Sequence, residues 1–186
     1  MALTSSRMLA LGTVLPDFSL RDVRTNQLVT NFTLPAAPGY LVMVICNHCP
    51  YVVHVRKAIT AFAKRAQAHG FEVLAVSAND AVAYPEDGPE AMATLAENEG
   101  FTFPYLYDQQ QEFVKKLQAV CTPEFYFFDA SRKLVYRGQM DDSRPRNHEA
   151  NDAHNLETVL QAVLKGEKIS GEQKPSVGCS IKWLST

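Results

Sequence analysis

Six consecutive apolar residues, Tyr40-Leu41-Val42-Met43-Val44-Ile45, run directly into Cys46-Asn47-His48-Cys49 and then into a helix-period pattern. An apolar run without polar alternation fits a strand covered on both faces, as in a sheet with helices packed on either side. After Pro50, the residues Val52, Val55, Ile59, Phe62 and Ala66 recur at steps of three and four, and Gly70 stops the pattern. A strand therefore feeds a helix, with two cysteines at the junction. Residues i and i+3 of an α-helix lie roughly 5 Å apart, from a rise of about 1.5 Å per residue. That is inside the roughly 4.4–6.8 Å that a disulfide spans, so this pair can open and close without rearranging the backbone.

The rest of the chain extends the same alternation. Pro16 to Leu20 alternates polar and apolar residues and Leu28-Val29 follows a polar turn, which predicts a short β-hairpin ahead of the core. Phe71–Ser77 reads as a second strand, Glu90–Asn98 as a helix after a Pro/Gly-rich loop, and Phe103–Leu106 as a short strand. Asp108 is placed to cap a further helix over 109–119. Thr122-Pro123 then precedes an aromatic strand (Phe125–Phe128), a turn, and a partner strand (Leu134–Arg137). An amphipathic helix carrying Leu156, Val159, Leu160 and Val163 follows and ends at Gly166. This order predicts an α/β fold with right-handed crossovers, helices on both faces of a central mixed sheet, and an antiparallel hairpin at one edge. At 186 residues the chain suits a single domain, with an N-terminal extension and hairpin over 1–38, a core over 39–166 and a tail over 167–186.

A formal net charge of −2 without a dense Lys/Arg run argues against nucleic acid or an anionic membrane surface as partner. The apolar patch Met8–Leu11 is too short for the core of a signal peptide, and nothing approaches the roughly 20 apolar residues of a membrane span. The expectation is a cytoplasmic protein. In a reducing compartment structural disulfides rarely persist, so four cysteines point to catalysis or metal binding.

With Cys46-x-x-Cys49 after the first central strand and Thr122-Pro123 before the hairpin, the chain resembles the thioredoxin fold. Gly12-x-x-x-Pro16-x-Phe18-x-Leu20 resembles the entry of the redoxin branch, which includes peroxiredoxins of the alkyl hydroperoxide reductase/thiol-specific antioxidant type and thiol-disulfide oxidoreductases. Cys46 to Val52, Cys121 to Phe125 and Gly178 to Trp183 are similar to a bacterial group of thioredoxin-like proteins within that branch. The resemblance spans residues 12–183. It implies that Pro123 is cis and packed against the disulfide, with the Thr122 backbone free to pair with a substrate strand.

A thiol at a helix N-terminus faces unpaired N–H groups and the positive end of the macrodipole, which favour thiolate. On that ground Cys46 is expected to be the exposed attacking thiolate and Cys49 the resolving thiol. His48 either adds positive charge that stabilises the reduced pair or is a solvent-facing imidazole of small effect. Cys121 is either an auxiliary thiol or a packed core residue. Cys179, in the tail, either folds back as a second resolving thiol, pairs with Cys121, or stands idle. Asp141, Asp142, His148, Asp152 and His154 crowd a late loop that suits a solvated turn with a helix cap better than a metal site. The loop Tyr84-Pro85-Glu86-Asp87-Gly88 is left undecided at the rim of the site.

The leading function is a cofactor-free thiol-disulfide oxidoreductase of cellular redox homeostasis, acting on protein or small-molecule disulfides with a further redox partner. A thiol peroxidase, or antioxidant, is one alternative. Peroxidatic sites of the branch carry Pro-x-x-x-Thr/Ser-x-x-Cys, whereas Gly39 and Met43 precede Cys46 here, and Val42 and Cys46 precede Cys49. A copper-binding protein of the same fold is a second alternative, although such proteins use a three-residue gap between cysteines.

Overall fold

The computed structural model describes residues 3–185, and its centre is β4 (Gly39–Val44), buried along its whole length. The pleat sends alternate side chains of this strand to opposite faces. Leu41 and Met43 join one apolar cluster and Tyr40, Val42 and Val44 the other. Each face is then covered by what the sequence supplies. The first takes α1 (Pro50–Ala68), α2 (Pro89–Asn98) and α4 (His154–Lys165), through Val55, Ile59, Phe62, Met92, Leu156 and Leu160 among others. The second takes the short α3 (Glu112–Lys116) and the N-terminal segment, through Leu9, Leu15, Phe18, Phe113 and Val114.

The strands in chain order are β1 (Leu3–Ser5), β2 (Ser19–Asp22), β3 (Leu28–Thr30), β4, β5 (Glu72–Ser77), β6 (Tyr105–Tyr107), β7 (Cys121–Thr122), β8 (Glu124–Asp129), β9 (Leu134–Gly138) and β10 (Val177–Ser180). Seven of them form one mixed sheet in the order β3-β2-β6-β5-β4-β8-β9. β4, β5 and β6 run parallel, joined by helical crossovers, and β8 returns antiparallel to β4 with β9 as its hairpin partner. The predicted N-terminal hairpin is β2–β3, and it extends the sheet because β2 pairs with β6.

Two departures from the sequence expectation matter for the site. The helix expected over 109–119 is cut to Glu112–Lys116, because Gln111 and Gln118 both take left-handed backbone conformations (φ 61° and 55°). Asp108 still serves that helix, its Oδ2 accepting from the Val114 N–H at 2.9 Å. More consequential is the tail, which had no predicted element. It returns across the domain and builds a second, three-stranded sheet in the order β1-β10-β7.

Candidate functional site

The chain leaves the sheet where the cysteines begin. The Ile45 N–H still bonds the Val76 carbonyl at 2.9 Å, and the backbone departs at Cys46. The helix starts later than the spacing argument assumed: Cys49 is the N-cap of α1 and Pro50 its first helical residue. Cys46 thus lies ahead of the helix rather than on it. Nor is it exposed, since Cys46 and Cys49 retain 1% and 0% of their accessible surface. The expected exposed Cys46 at the helix start is corrected on both counts, and the reason is what covers the motif.

One cover is the 3₁₀ turn Pro85–Asp87, which the sequence reading left undecided. Asp87 is fully buried, and its Oδ1 accepts from the N–H groups of Asn47 (2.7 Å) and His48 (3.3 Å). Its Oδ2 takes the His48 Nδ1 at 2.5 Å and the Asn79 side-chain amide at 2.7 Å. A carboxylate only accepts, so Nδ1 of His48 carries the hydrogen and Nε2 is the free ring nitrogen. The imidazole is stacked on Tyr84, with 5.5 Å between ring centroids. Asn47 is fixed by Tyr105, whose hydroxyl donates to Asn47 Oδ1 at 3.1 Å. His48 is therefore neither free in solvent nor an uncompensated charge beside the thiols.

Thr122 and Pro123 form the other cover. Their peptide bond is cis, as the resemblance implied. Cys46 Sγ lies 3.4 Å from the Thr122 hydroxyl, and Cys49 S–H donates to the Thr122 carbonyl at 3.2 Å. The Thr122 backbone was expected to be free for a substrate strand. It is instead paired with the chain's own β10, in a register that sets Cys179 opposite Thr122 and Ser180 opposite Cys121. Glycine is required at Gly178 for this approach, because a Cβ there would stand 1.9 Å from the Thr122 carbonyl oxygen.

Four free, buried cysteines result, three of them around one point. The Cys49 thiol is drawn down to about 5, first by its hydrogen bond with Cys46 and against burial, with Cys179, Thr122 and the Val52 N–H also contributing. Cys46 is pushed well up, first by the same hydrogen bond with Cys49, then by burial and by the Asp87 carboxylate. Position and charge act in the same sense: Cys49 is the residue at the helix cap, where the N-terminal N–H groups favour a thiolate, while the Asp87 carboxylate opposes one on Cys46. Below that range Cys49 is protonated and its S–H turns to the Thr122 carbonyl. Cys179 is pushed up to about 12, by burial first and then by Cys49.

Cys121 belongs elsewhere. Its sulfur sits 3.7 Å from Glu124 Oε2 and opposite Ser180 rather than Cys179, and burial followed by Glu124 pushes its thiol up. The core-packing reading fits it. The late acidic loop does not converge on a metal: Asp141 binds Ser143 and the N–H groups of Asp152 and Ala153, while Asp142 pairs with Lys174. Among the described residues, the metal-capable group is Cys46, His48 and Asp87, whose donor atoms lie within 4.8 Å of one another. Both Asp87 oxygens already accept two hydrogen bonds each, so that carboxylate has no lone pair left for an ion. The loop carrying Asp87 was undecided from the sequence, because nothing in a Pro/Gly loop with Asp80, Glu86 and Asp87 marks which carboxylate turns inward.

A surface cavity of about 960 Å³ between the β2–β3 hairpin and α3 is lined by none of the cysteines. A second, of about 540 Å³, is lined by Pro50, Tyr51, Arg144, Arg146, Gly178 and Cys179 among others. No described helix is long and apolar enough to cross a membrane.

The Redoxin family model matches residues 10–160. An uncharacterized conserved protein from Geobacillus kaustophilus is 42% identical, with a TM-score of 0.98 over 100% of this chain and 98% of that one. A hypothetical protein from Sinorhizobium meliloti 1021 is 40% identical, with a TM-score of 0.96 over 98% of this chain and 100% of that one. A thiol:disulfide interchange protein of the thioredoxin family from Chlorobium tepidum TLS is 14% identical, with a TM-score of 0.63 over 83% of this chain and 98% of that one. That last likeness shows a thioredoxin-like fold. No curated protein matches the chain.

Proposed function

The chain belongs to the redoxin family, and from that premise we propose that it is a thiol-disulfide oxidoreductase whose redox pair is Cys46 and Cys49. The observation that carries the reading is two free thiols at the start of α1 that both meet Thr122, Cys46 Sγ lying 3.4 Å from its hydroxyl and Cys49 S–H donating to its carbonyl at 3.2 Å, against the Thr122-Pro123 bond. Sharing one proton between two sulfurs lowers the first ionisation and raises the second, which readies one thiolate for attack while the other thiol waits.

The reduced pair attacks a disulfide R–S–S–R′, forming a mixed disulfide and expelling one thiolate. The remaining cysteine then attacks the protein-bound sulfur, closing Cys46–Cys49 and releasing the second thiolate. Two electrons pass to the substrate, and each departing sulfur takes up one of the protons the pair gives up. Asp87 opposes charge on Cys46 and fixes His48, so the pair is less oxidising than a free histidinium beside it would make it. Protein or small-molecule disulfides are the substrate class.

The test is insulin reduction in the presence of dithiothreitol, run beside hydrogen peroxide consumption by the reduced protein. Disulfide turnover that disappears in both Cys46→Ser and Cys49→Ser, with a Cys46–Cys49 bond in the oxidised protein, supports the reading. Rapid peroxide consumption with insulin untouched would move the protein to the peroxidase alternative.

A further inference from the structure

Resting on that reading, we propose that Cys179 is a third redox thiol, which exchanges with Cys49 and carries electrons between the buried pair and an anionic low-molecular-weight thiol in the cavity beside it. Three observations converge. β10 occupies the edge of Thr122 where a substrate strand would pair, and it places Cys179 directly opposite that residue. Thr122 is the common neighbour of all three cysteines: its hydroxyl lies 3.4 Å from Cys46 Sγ, its carbonyl accepts from Cys49 S–H at 3.2 Å, Cys179 pairs with it in register, and the three cysteines share one buried cluster. And Cys179, the most exposed of the three at 5%, is the one that lines an open cavity.

The chain thus holds its own cysteine in the position of a substrate thiol. Close approach is enforced by Gly178, where any side chain would meet the Thr122 carbonyl and Pro123. On either side, Ser176 N–H bonds Ser6 Oγ at 3.0 Å and Lys182 N–H bonds Asn79 Oδ1 at 2.9 Å. The strand is strapped in place rather than resting on the surface. The same cavity is lined by Arg144 and Arg146, neither of which has a carboxylate partner among the described residues; Arg144 donates to the Asp141 and Ser143 carbonyls and to Gln139 Oε1, which leaves Arg146 as the guanidinium open to a ligand. Two positive charges without carboxylate partners in a cavity that a thiol also lines, one of them with its donors unspent, favour a ligand bearing carboxylates.

The chemistry balances at each step. In the oxidised protein, the Cys179 thiolate attacks Cys49 Sγ, the Cys49–Cys179 bond forms as Cys46–Cys49 breaks, and Cys46 leaves as thiolate and takes the proton Cys179 gave up. No electrons are gained or lost. An external thiolate then attacks Cys179 Sγ and releases Cys49, and a second external thiolate attacks the bound ligand sulfur and releases Cys179. The ligand departs as its disulfide, and its two electrons remain on the protein as thiols. The sequence runs backwards when the ligand arrives as a disulfide.

Full-length Cys46→Ser protein, equilibrated in a glutathione redox buffer, alkylated and digested with trypsin, provides the test by mass spectrometry. Cys49 lies on peptide 25–56, Cys121 on 117–132 and Cys179 on 169–182, so each linkage is distinguishable. The expected product joins 25–56 to 169–182 and leaves 117–132 alkylated. If those peptides stay unlinked while the wild type forms Cys46–Cys49 in the same buffer, the third thiol is refuted and the oxidoreductase reading stands. If the wild type forms no Cys46–Cys49 bond either, the underlying reading has failed first. For the ligand class, the reduced wild type is oxidised with glutathione disulfide and with dicationic cystamine. The expected rate ratio exceeds ten in favour of glutathione and falls toward one in Arg146→Glu, and a wild-type ratio of one or below overturns the anionic ligand.

Discussion

Two buried carboxylates sit near the thiols and their environments set them apart. Asp87 is saturated with four donors, so Asp87→Asn sets an amide N–H against donors that need an acceptor. A loss of about 1–3 kcal/mol in urea denaturation is expected, the range for leaving buried polar groups unpaired. Removing the charge also relieves Cys46, so the second ionisation of the reduced pair moves to lower pH in a thiolate absorbance titration. Glu124 is the opposite case. It is fully buried, its Oε1 has no hydrogen-bond partner, and burial pushes its carboxyl from 4.5 up to about 7. A raised folded-state value means this carboxyl favours folding below the unfolded pKa of 4.5, and that contribution is lost as pH rises through about 7. Glu124→Gln is therefore expected to gain on the wild type across that window, by on the order of 3–4 kcal/mol above it, at about 1.4 kcal/mol per pKa unit. Paired denaturation curves on either side of the window check it, and equal midpoint differences at both ends would refute it. Cys46 and Cys49 were legible in the sequence as a pair because their spacing is local. Asp87 was not, because it meets His48 across 39 residues, a contact that local spacing does not record.

Periodicity recovers elements whose stability comes from burying a continuous face, and turn signals recover the short hairpins β2–β3 and β8–β9. β4, α1 and α4 each present a long apolar stripe or run, and each appears in the structure within a few residues of its predicted bounds. β1 and β10 carry no alternation or turn signal in the sequence, and they form because β10 finds backbone partners in β1 on one side and β7 on the other. What the sequence does carry of β10 is Gly178, and its meaning emerges only with Thr122 beside it. Gly178→Ala is expected to push β10 off Thr122, since a Cβ cannot share the space with a carbonyl oxygen 1.9 Å away. Overpacking of this kind costs about 1–3 kcal/mol. The accompanying sign is faster iodoacetamide alkylation of Cys49 in the reduced protein, located by peptide mapping. Unchanged alkylation with lower stability would mean that the covering strand does not limit access to the pair.

At the scale of the whole molecule the question is why a redox pair is enclosed. Both sulfurs of the motif are buried, and the cover is assembled from distant parts of the chain: Asp87 from the loop after β5, Thr122 from β7, and Cys179 from the tail. The tail is also tied down from several directions. Ser6 N–H bonds the Ser176 carbonyl, Ser176 Oγ donates to the Gly138 carbonyl, and the Gln111 side chain bridges Lys182 and Leu184. Burying a nucleophile behind the chain's own strand limits adventitious oxidation, and it leaves reaction to partners that enter beside Cys179 or displace β10. Truncation after residue 175 separates the tail's structural and chemical roles. Loss of β10 removes the partner of β1 and the cap over Thr122, so a lower thermal midpoint is expected together with alkylation of Cys46 and Cys49 at least tenfold faster than in the full chain. Because the main sheet and α1 keep their own packing, the truncated protein should retain the far-ultraviolet circular dichroism of an α/β fold and still form Cys46–Cys49 in a glutathione buffer. A truncated chain that folds yet protects both thiols as well as the full-length protein would show that the cover lies in the Asp87 turn and the Thr122-Pro123 segment, and the tail would lose its place in the redox site.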